Sequence, residues 1–110
     1  MMYDAYVLRV IDDDTIVCTI SLGFGIHITR HVRLYGINAP EKNTPEGIGA
    51  KNKLTLLIDK EQIQLNCVEQ LDKYGRVLGT PNHNGINICE LLLKEGFAKP
   101  MLYSEMIEDA

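Results

Sequence analysis

AYVLRVIDDDTIVCTISLGFGIHITRHVRLYGI, residues 5–37, holds three β-like segments and two turns. AYVLRVI (5–11), TIVCTI (15–20) and IHITRHVRLYGI (26–37) are rich in Val, Ile, Thr and Tyr, which fit a pleated, half-buried surface. SLGFG (21–25) separates the second from the third with two glycines. Short turns between successive strands predict an antiparallel meander. Between the first two strands stand Asp12, Asp13 and Asp14. Like charges side by side repel, so the triplet is either an acidic turn screened by solvent or a place where positive charge belongs.

Outward from this meander the period changes. NAPEKNTPEGIGA (38–50) is a loop with two prolines and two glycines. In it Thr44 and Pro45 read as N-cap and first helical position, with Gly47 and Gly49 able to delay the helix. AKNKLTLLIDK (50–60) puts Leu54, Leu57 and Ile58 on one helical face. IQLNCV (63–68) reads as a fourth strand, and EQLDKYGRVLGT (69–80) runs through a polar turn into a fifth. NHNG (82–85) carries an Asn-Gly hairpin signal. In NICELLLKEGFAK (87–99), Asn87 and Glu90 form a capping-box pattern and Gly96 suits a left-handed helix stop. The order β-β-β-α-β-β-α predicts a mainly β, α+β protein: a five-stranded OB-fold barrel with two or three packed helices.

The chain has 110 residues, 45% of them hydrophobic, enough for one core and one domain spanning 1–110. No apolar run is long enough to cross a bilayer, so no membrane partner is expected. The opening MMYDAYVLRV has no basic start, apolar stretch or small-residue cleavage site, which leads us to expect a cytosolic protein. Cys18, Cys67 and Cys89 form no CxxC pair and read as buried thiols. The net charge is −4, not the basic balance of a protein that grips nucleic acid by charge alone. Part of the excess is local, because residues 100–110 form an acidic C-terminal tail with Glu105, Glu108 and Asp109.

VIDDDTI (10–16), VRLYGINAPE (32–41), DKYGR (72–76) and GINICELLLKEGFAK (85–99), in this order and spacing, resemble the staphylococcal (micrococcal) nuclease family, also called thermonuclease-like domains. The resemblance covers about Ala5 to Lys99 and implies an OB-type barrel. It also implies calcium-dependent hydrolysis of DNA or RNA phosphodiesters by metal-assisted attack of water. By the same resemblance, Arg33, Glu41 and Arg76 are catalytic. Asp14, Asn38 and the backbone carbonyl of Ala39 are implied as metal ligands, with Asp12 supporting them from behind. Lys73, Tyr74 and Tyr103 are implied to touch substrate.

The chemistry suits those residue types. A phosphodiester is anionic and resists water, so cleavage needs a positioned nucleophile and positive charge where the five-coordinate phosphorus develops negative charge. Calcium takes several oxygens. Guanidinium groups match phosphate oxygens with paired, planar hydrogen bonds. Glu41 is expected beside the nucleophilic water.

Two departures from the family pattern carry expectations. Asn38 stands where the family has Asp, which removes a ligand charge and predicts weaker calcium binding. Asp13 stands where the family has Gly and is expected to face solvent at the hairpin tip. The near-neutral body predicts weak grip on duplex and preference for single strands, by a monomer. After Lys99, Ser104 is able to cap one short turn but not a full third helix.

Taken singly, each motif has a blander reading: a solvated acidic turn, a strand Arg facing water, a loop into a helix, a turn with a surface Arg. His27 and His31 are too far apart along a strand to share one zinc ion. The alternative function is a non-catalytic OB-type module that binds nucleic acid or protein, and a third is an OB domain that matches by chance.

Overall fold

The computed structural model describes residues 1–107. Strands β1 (Met2–Asp12), β2 (Thr15–Gly23) and β3 (Ile26–Leu34) form the expected antiparallel meander. β1 also pairs antiparallel with β5 (Gln62–Leu71), and β5 with β6 (Val77–His83). β6 then lies parallel to β3, with Val32 opposite Val77 and Leu34 opposite Gly79, which closes a five-stranded barrel. Closure leaves these five strands without a long free edge.

The barrel interior is filled by the inward-facing residues of each strand. Val7, Ile16, Val32, Leu34 and Leu65 are fully buried. Helix α1 (Pro45–Ile58) adds Leu54 and Ile58, and helix α2 (Ile88–Lys94) adds Ile88 and Leu92. Thr44 caps α1 by accepting from the Gly47 N–H at 3.1 Å, so the helix starts at Pro45 and neither glycine delays it. Gly47 is required for a packing reason: a Cβ there would lie 2.0 Å from the Glu41 carbonyl oxygen. Asn87 caps α2 by accepting from the Glu90 N–H at 3.0 Å. The helix ends in a Schellman motif, with Phe97 N–H on Leu92 O and Gly96 at φ +80°.

Short pieces complete the fold. β7 (Ile86–Asn87) extends the sheet through the Asn84-Gly85 turn, both of whose residues have positive φ. β4 (Ile37–Asn38) pairs with β8 (Lys99–Pro100). These three strands have two residues each, too few for an alternating pattern to reveal. The C-terminal segment contributes β8 and the five-residue α3 (Tyr103–Ile107), whose Met106 is buried. The acids expected at Glu108 and Asp109 lie outside the described residues. No helix among the described residues is long and apolar enough to cross a membrane. Cys18 and Cys89 are buried, and burial pushes both thiols up to about 12; Cys67 is half-buried, and its thiol is raised as well.

Candidate active site

The tip of the β1–β2 hairpin, the end of β3 and the turn before β6 meet at one end of the barrel. Asp12 pairs with Thr15, so Asp13 and Asp14 make the turn itself. Leu34 N–H donates to the Asp14 carbonyl at 2.8 Å and folds the tip against the end of β3. That closure has a consequence for Asp13. It is 5% exposed rather than solvent-facing, and its Oδ2 has no hydrogen-bond partner among the described residues. Burial first, then Asp14 and Asp12, push its carboxyl up to about 6. The expectation of an outward Asp13 is therefore corrected: a two-residue turn pinned to the barrel wall has no free side for both acids.

Arg33 is 6% exposed, and its guanidinium is held on three sides. Nη1 donates to Leu34 O at 2.7 Å and Nη2 to Ile37 O at 2.9 Å. Nε faces Asp14 Oδ2 at 3.6 Å. A buried cation is tolerated only with such partners. They also fix its orientation, since Leu34 and Ile37 belong to β3 and β4.

Arg76 is aimed by a different device. Asp72, buried, accepts from Tyr74 N–H at 2.9 Å, from Arg76 N–H at 2.8 Å and from Arg76 Nε at 2.7 Å. Gly75 takes φ +82° and its N–H reaches Asp72 O, which closes the turn. The guanidinium lies over the Tyr74 ring, 5.3 Å from its centre, and Nη1 donates to Thr15 Oγ1 at 3.3 Å. Thr15 donates in turn to Asp14 Oδ1 at 2.8 Å. Arg33, Asp14, Thr15 and Arg76 thus form one connected polar chain. The two guanidiniums share a cavity of about 210 Å³ with Lys73, Tyr74, Met101 and Glu105.

The other expected site residues sit beside this group. Asn38, Ala39 and Glu41 line a second, larger cavity of about 570 Å³ with Phe97 and Lys99. Glu41 is exposed, and its carbonyl accepts from Thr44 N–H and Oγ1, which anchors the loop to the start of α1. Arg33 holds the carbonyl of Ile37, whose chain neighbour Asn38 lines the second cavity. Tyr103 does not line the arginine cavity; its hydroxyl donates to Gln70 and its ring packs 6.1 Å from that of Tyr35. Lys73 Nζ lies 5.5 Å from the Tyr74 ring centre.

Sequence reasoning missed Asp72 and Thr15. Asp72 carried a signal, because an Asp followed by X-X-Gly is a frequent turn opener whose carboxylate takes backbone N–H groups. Thr15 stands in the VIDDDTI motif, but nothing local joins it to Arg76.

The expected donors are all oxygens, but they line different places: the Asp12 and Asp14 carboxylates stand at the hairpin tip, with Asp12 facing a cavity shared with Lys42 and Lys51, and the Asn38 amide and Ala39 carbonyl belong to the larger cavity. Such a set suits a hard divalent cation and not zinc. The unpartnered Asp13 oxygen adds negative charge at this end of the barrel that Arg33 and a backbone hydrogen bond offset only in part. Charged donors are few: no three His, Cys, Asp or Glu side chains converge to hold a metal among the described residues. Asp14 also spends one oxygen on Thr15 and faces Arg33 with the other.

The chain is similar to known proteins over much of its length. Over 67 residues, 61% of the chain, it is 39% identical to an uncharacterized 38.1 kDa protein of Capnoides sempervirens, 37% to the probable staphylococcal-like nuclease CAN3 of Oryza sativa subsp. japonica, and 34% to the staphylococcal-like nuclease CAN1 of Arabidopsis thaliana. The aligned part is 20%, 18% and 20% of those proteins respectively, so the chain spans about a fifth of their length. A family model described as Staphylococcal nuclease homologue matches residues 31–109, from β3 onward. Arg33, Glu41 and Arg76 lie inside that match, and the acidic turn that it leaves out is joined to Arg76 by the hydrogen bonds above and to Arg33 by the ion pair with Asp14. The chain belongs to the staphylococcal nuclease homologue family.

Proposed function

We propose that this domain is a calcium-dependent nuclease that hydrolyses phosphodiester bonds of DNA or RNA, with single strands favoured, and that it works as a monomer. The observation that carries the reading is the polar chain from Arg76 through Thr15 to Asp14 by hydrogen bonds and on to Arg33 by an ion pair, with both guanidiniums in one cavity. Two oriented cations in a cavity of that size suit one phosphate group.

In this reading the phosphate sits between Arg33 and Arg76. Their N–H groups strengthen their hold as negative charge grows on the phosphoryl oxygens, which lowers the barrier without reorganisation. Tyr74 fixes the Arg76 plane, and Lys73 adds charge at the rim. Glu41 orients the attacking water from the neighbouring cavity and receives its proton. Asp14, Asn38 and the Ala39 carbonyl hold calcium, with Asp12 behind them. Bound calcium supplies charge neutralisation at the phosphate and a coordinated water. Fewer charged ligands than three acids would give predict a high calcium requirement.

The test is direct. Plasmid, single-stranded DNA and RNA are incubated with millimolar calcium and then with excess chelator. Cleavage with calcium and none with chelator supports the proposal; no cleavage of any substrate overturns it.

One observation favours the second reading, a non-catalytic nucleic-acid-binding module. Arg33 directs two donors into the protein's own carbonyls, and Glu41 lines a different cavity. Binding in the same assay without hydrolysis at any calcium concentration would select that reading.

A further inference from the structure

The C-terminal segment closes the arginine cavity with an acid, which a site for phosphate alone does not require. Glu105 stands on α3 and lines that cavity with Arg33, Lys73 and Arg76. The fold anchors the segment on both sides of it. Met101 N–H donates to Gly36 O at 2.9 Å, and Lys73 N–H donates to Met106 O at 3.2 Å. Met106 is buried, and the Tyr103 hydroxyl donates to Gln70 at 2.9 Å. Lys73 belongs to the turn that aims Arg76, so α3 is tied to the element that carries one of the two guanidiniums.

The Glu105 carboxylate is itself oriented. Its Oε2 accepts from Leu102 N–H at 3.2 Å, while Oε1 has no hydrogen-bond partner among the described residues. The arginines do not neutralise it, because Arg33 and Arg76 pair with Asp14 and Asp72 instead. Asp72, the other acid of the cavity wall, gives both oxygens to Arg76 and to the backbone of its own turn. Of the two acids lining the cavity, only Glu105 has an oxygen to offer a ligand.

A bare anion in this cavity would be attracted by the cations and repelled by Glu105. A ligand with a hydroxyl donor next to its anionic group satisfies both. Ribose bearing a 3′-phosphate is such a ligand, because its 2′-hydroxyl stands on the carbon beside the one that carries the phosphate. Deoxyribose has no donor there. The cavity, about 210 Å³, is small enough that phosphate and hydroxyl of the same nucleotide would meet the cations and the acid. An acid that accepts from a ribose hydroxyl while other groups hold the phosphate recurs in nucleotide sites, and the 2′-hydroxyl is the group by which a protein tells RNA from DNA.

We infer that Glu105 is a specificity residue that accepts a hydrogen bond from the ribose 2′-hydroxyl and biases this domain toward RNA. The inference rests on the reading that a nucleic-acid phosphate occupies the arginine cavity, and it adds the sugar class of the substrate.

The test measures binding in chelator, where no cutting occurs, by anisotropy of fluorescein-labelled hexamers of uridylate, deoxyuridylate and 2′-O-methyluridylate. All three carry the same base and the same charge, and the first alone has a 2′-donor. The parent is expected to bind the uridylate hexamer at least about fivefold more tightly than the other two, the scale of one hydrogen bond to a charged group. Glu105→Ala should remove that difference, by weakening uridylate and leaving deoxyuridylate bound equally or more tightly, since the repulsion leaves with the carboxylate. Glu105→Gln keeps an acceptor for Leu102 N–H and so holds α3, and its neutral oxygen should cut the preference to about twofold. It decides the matter if circular dichroism melts show that the Ala variant is unfolded. Equal binding of all three hexamers by the parent overturns the inference, as does the parent's full preference in the variants. So does a 2′-O-methyl hexamer bound as tightly as uridylate, because sugar shape and not the donor would then be read. If the preference is present and depends on Glu105 but nothing is cleaved in calcium, the catalytic reading falls and the sugar discrimination stands. If nucleic acid is cleaved and the hexamers are not discriminated, the reverse holds.

Discussion

Arg76 Nη1 donates to Thr15 Oγ1 at 3.3 Å across 61 positions of chain, and the same hydroxyl donates to Asp14 at 2.8 Å. A hydroxyl has one proton to give. Giving it to Asp14 leaves the oxygen lone pairs facing Arg76, so one side chain sets the spacing between a cation and a carboxylate. Barrel closure makes this possible: β3 pairs with β2 on one side and β6 on the other, which brings the 12–15 turn beside the 72–76 turn.

Removing either guanidinium should abolish most cleavage. Arg76→Ala is expected to lower kcat/KM by at least about 10²-fold, the scale of a lost transition-state donor. It should also lose stability, because buried Asp72 is left without its cation. Arg33→Ala should lose activity similarly and also stability, by about 1–3 kcal/mol, because Leu34 O and Ile37 O lose buried partners. Steady-state cleavage of a labelled oligonucleotide, together with denaturant melts, checks both halves. Retained activity in either variant removes that residue from the site.

Asp72 touches no expected substrate atom, yet it aims Arg76. Asp72→Asn keeps the shape but puts an amide where Arg76 Nε now donates. We expect about a tenfold loss of cleavage and a stability loss of about 1–3 kcal/mol. A purely structural role and a positioning role separate in the double variant. In an Arg76→Ala background, Asp72→Asn should leave the residual rate unchanged, since the group that it positions is gone.

What the sequence reveals and what it hides divides along physical lines. The strands of 5–34 and the helix caps at Thr44 and Asn87 follow from local rules, and the structure has all of them. The pairing of Arg33 with Asp14 needed the resemblance, because nothing local joins residue 33 to residue 14. The burial of Asp13 was invisible, since a run of three acids carries no signal of which side chain a pinned turn will enclose. The contact of Thr15 with Arg76 emerges only from barrel closure, which a single strand's alternation leaves open.

Asn38 sets the calcium prediction. It is exposed on the two-residue strand β4, where Lys99 pairs with it, so a carboxylate fits without repacking. Asn38→Asp adds a charged oxygen to the proposed ligand set. The calcium concentration for half-maximal cleavage should fall about tenfold or more, and calcium binding measured by calorimetry should tighten in parallel. An unchanged calcium dependence would mean that position 38 is not a ligand.

Asp13 gives a pH dependence of stability with a definite sign. Its carboxyl is raised to about 6 from an ordinary value of 3.8, chiefly by burial and then by Asp14 and Asp12. The folded state therefore holds this proton more tightly than the unfolded state does. Stability falls as pH rises from about 4 to about 6, and the full penalty is present above that window. The shift corresponds to about 2–3 kcal/mol. Asp13→Asn removes the ionisation and nearly keeps the volume. Measured in chelator, it should melt several degrees above the parent at pH 8 and lose that advantage below pH 4. Calcium should narrow the gap at pH 8, because a cation held by Asp14 offsets the charge of its neighbour. If the variant melts like the parent at pH 8, the buried oxygen has found a partner in solution, and the acidic turn carries no uncompensated charge to draw a cation.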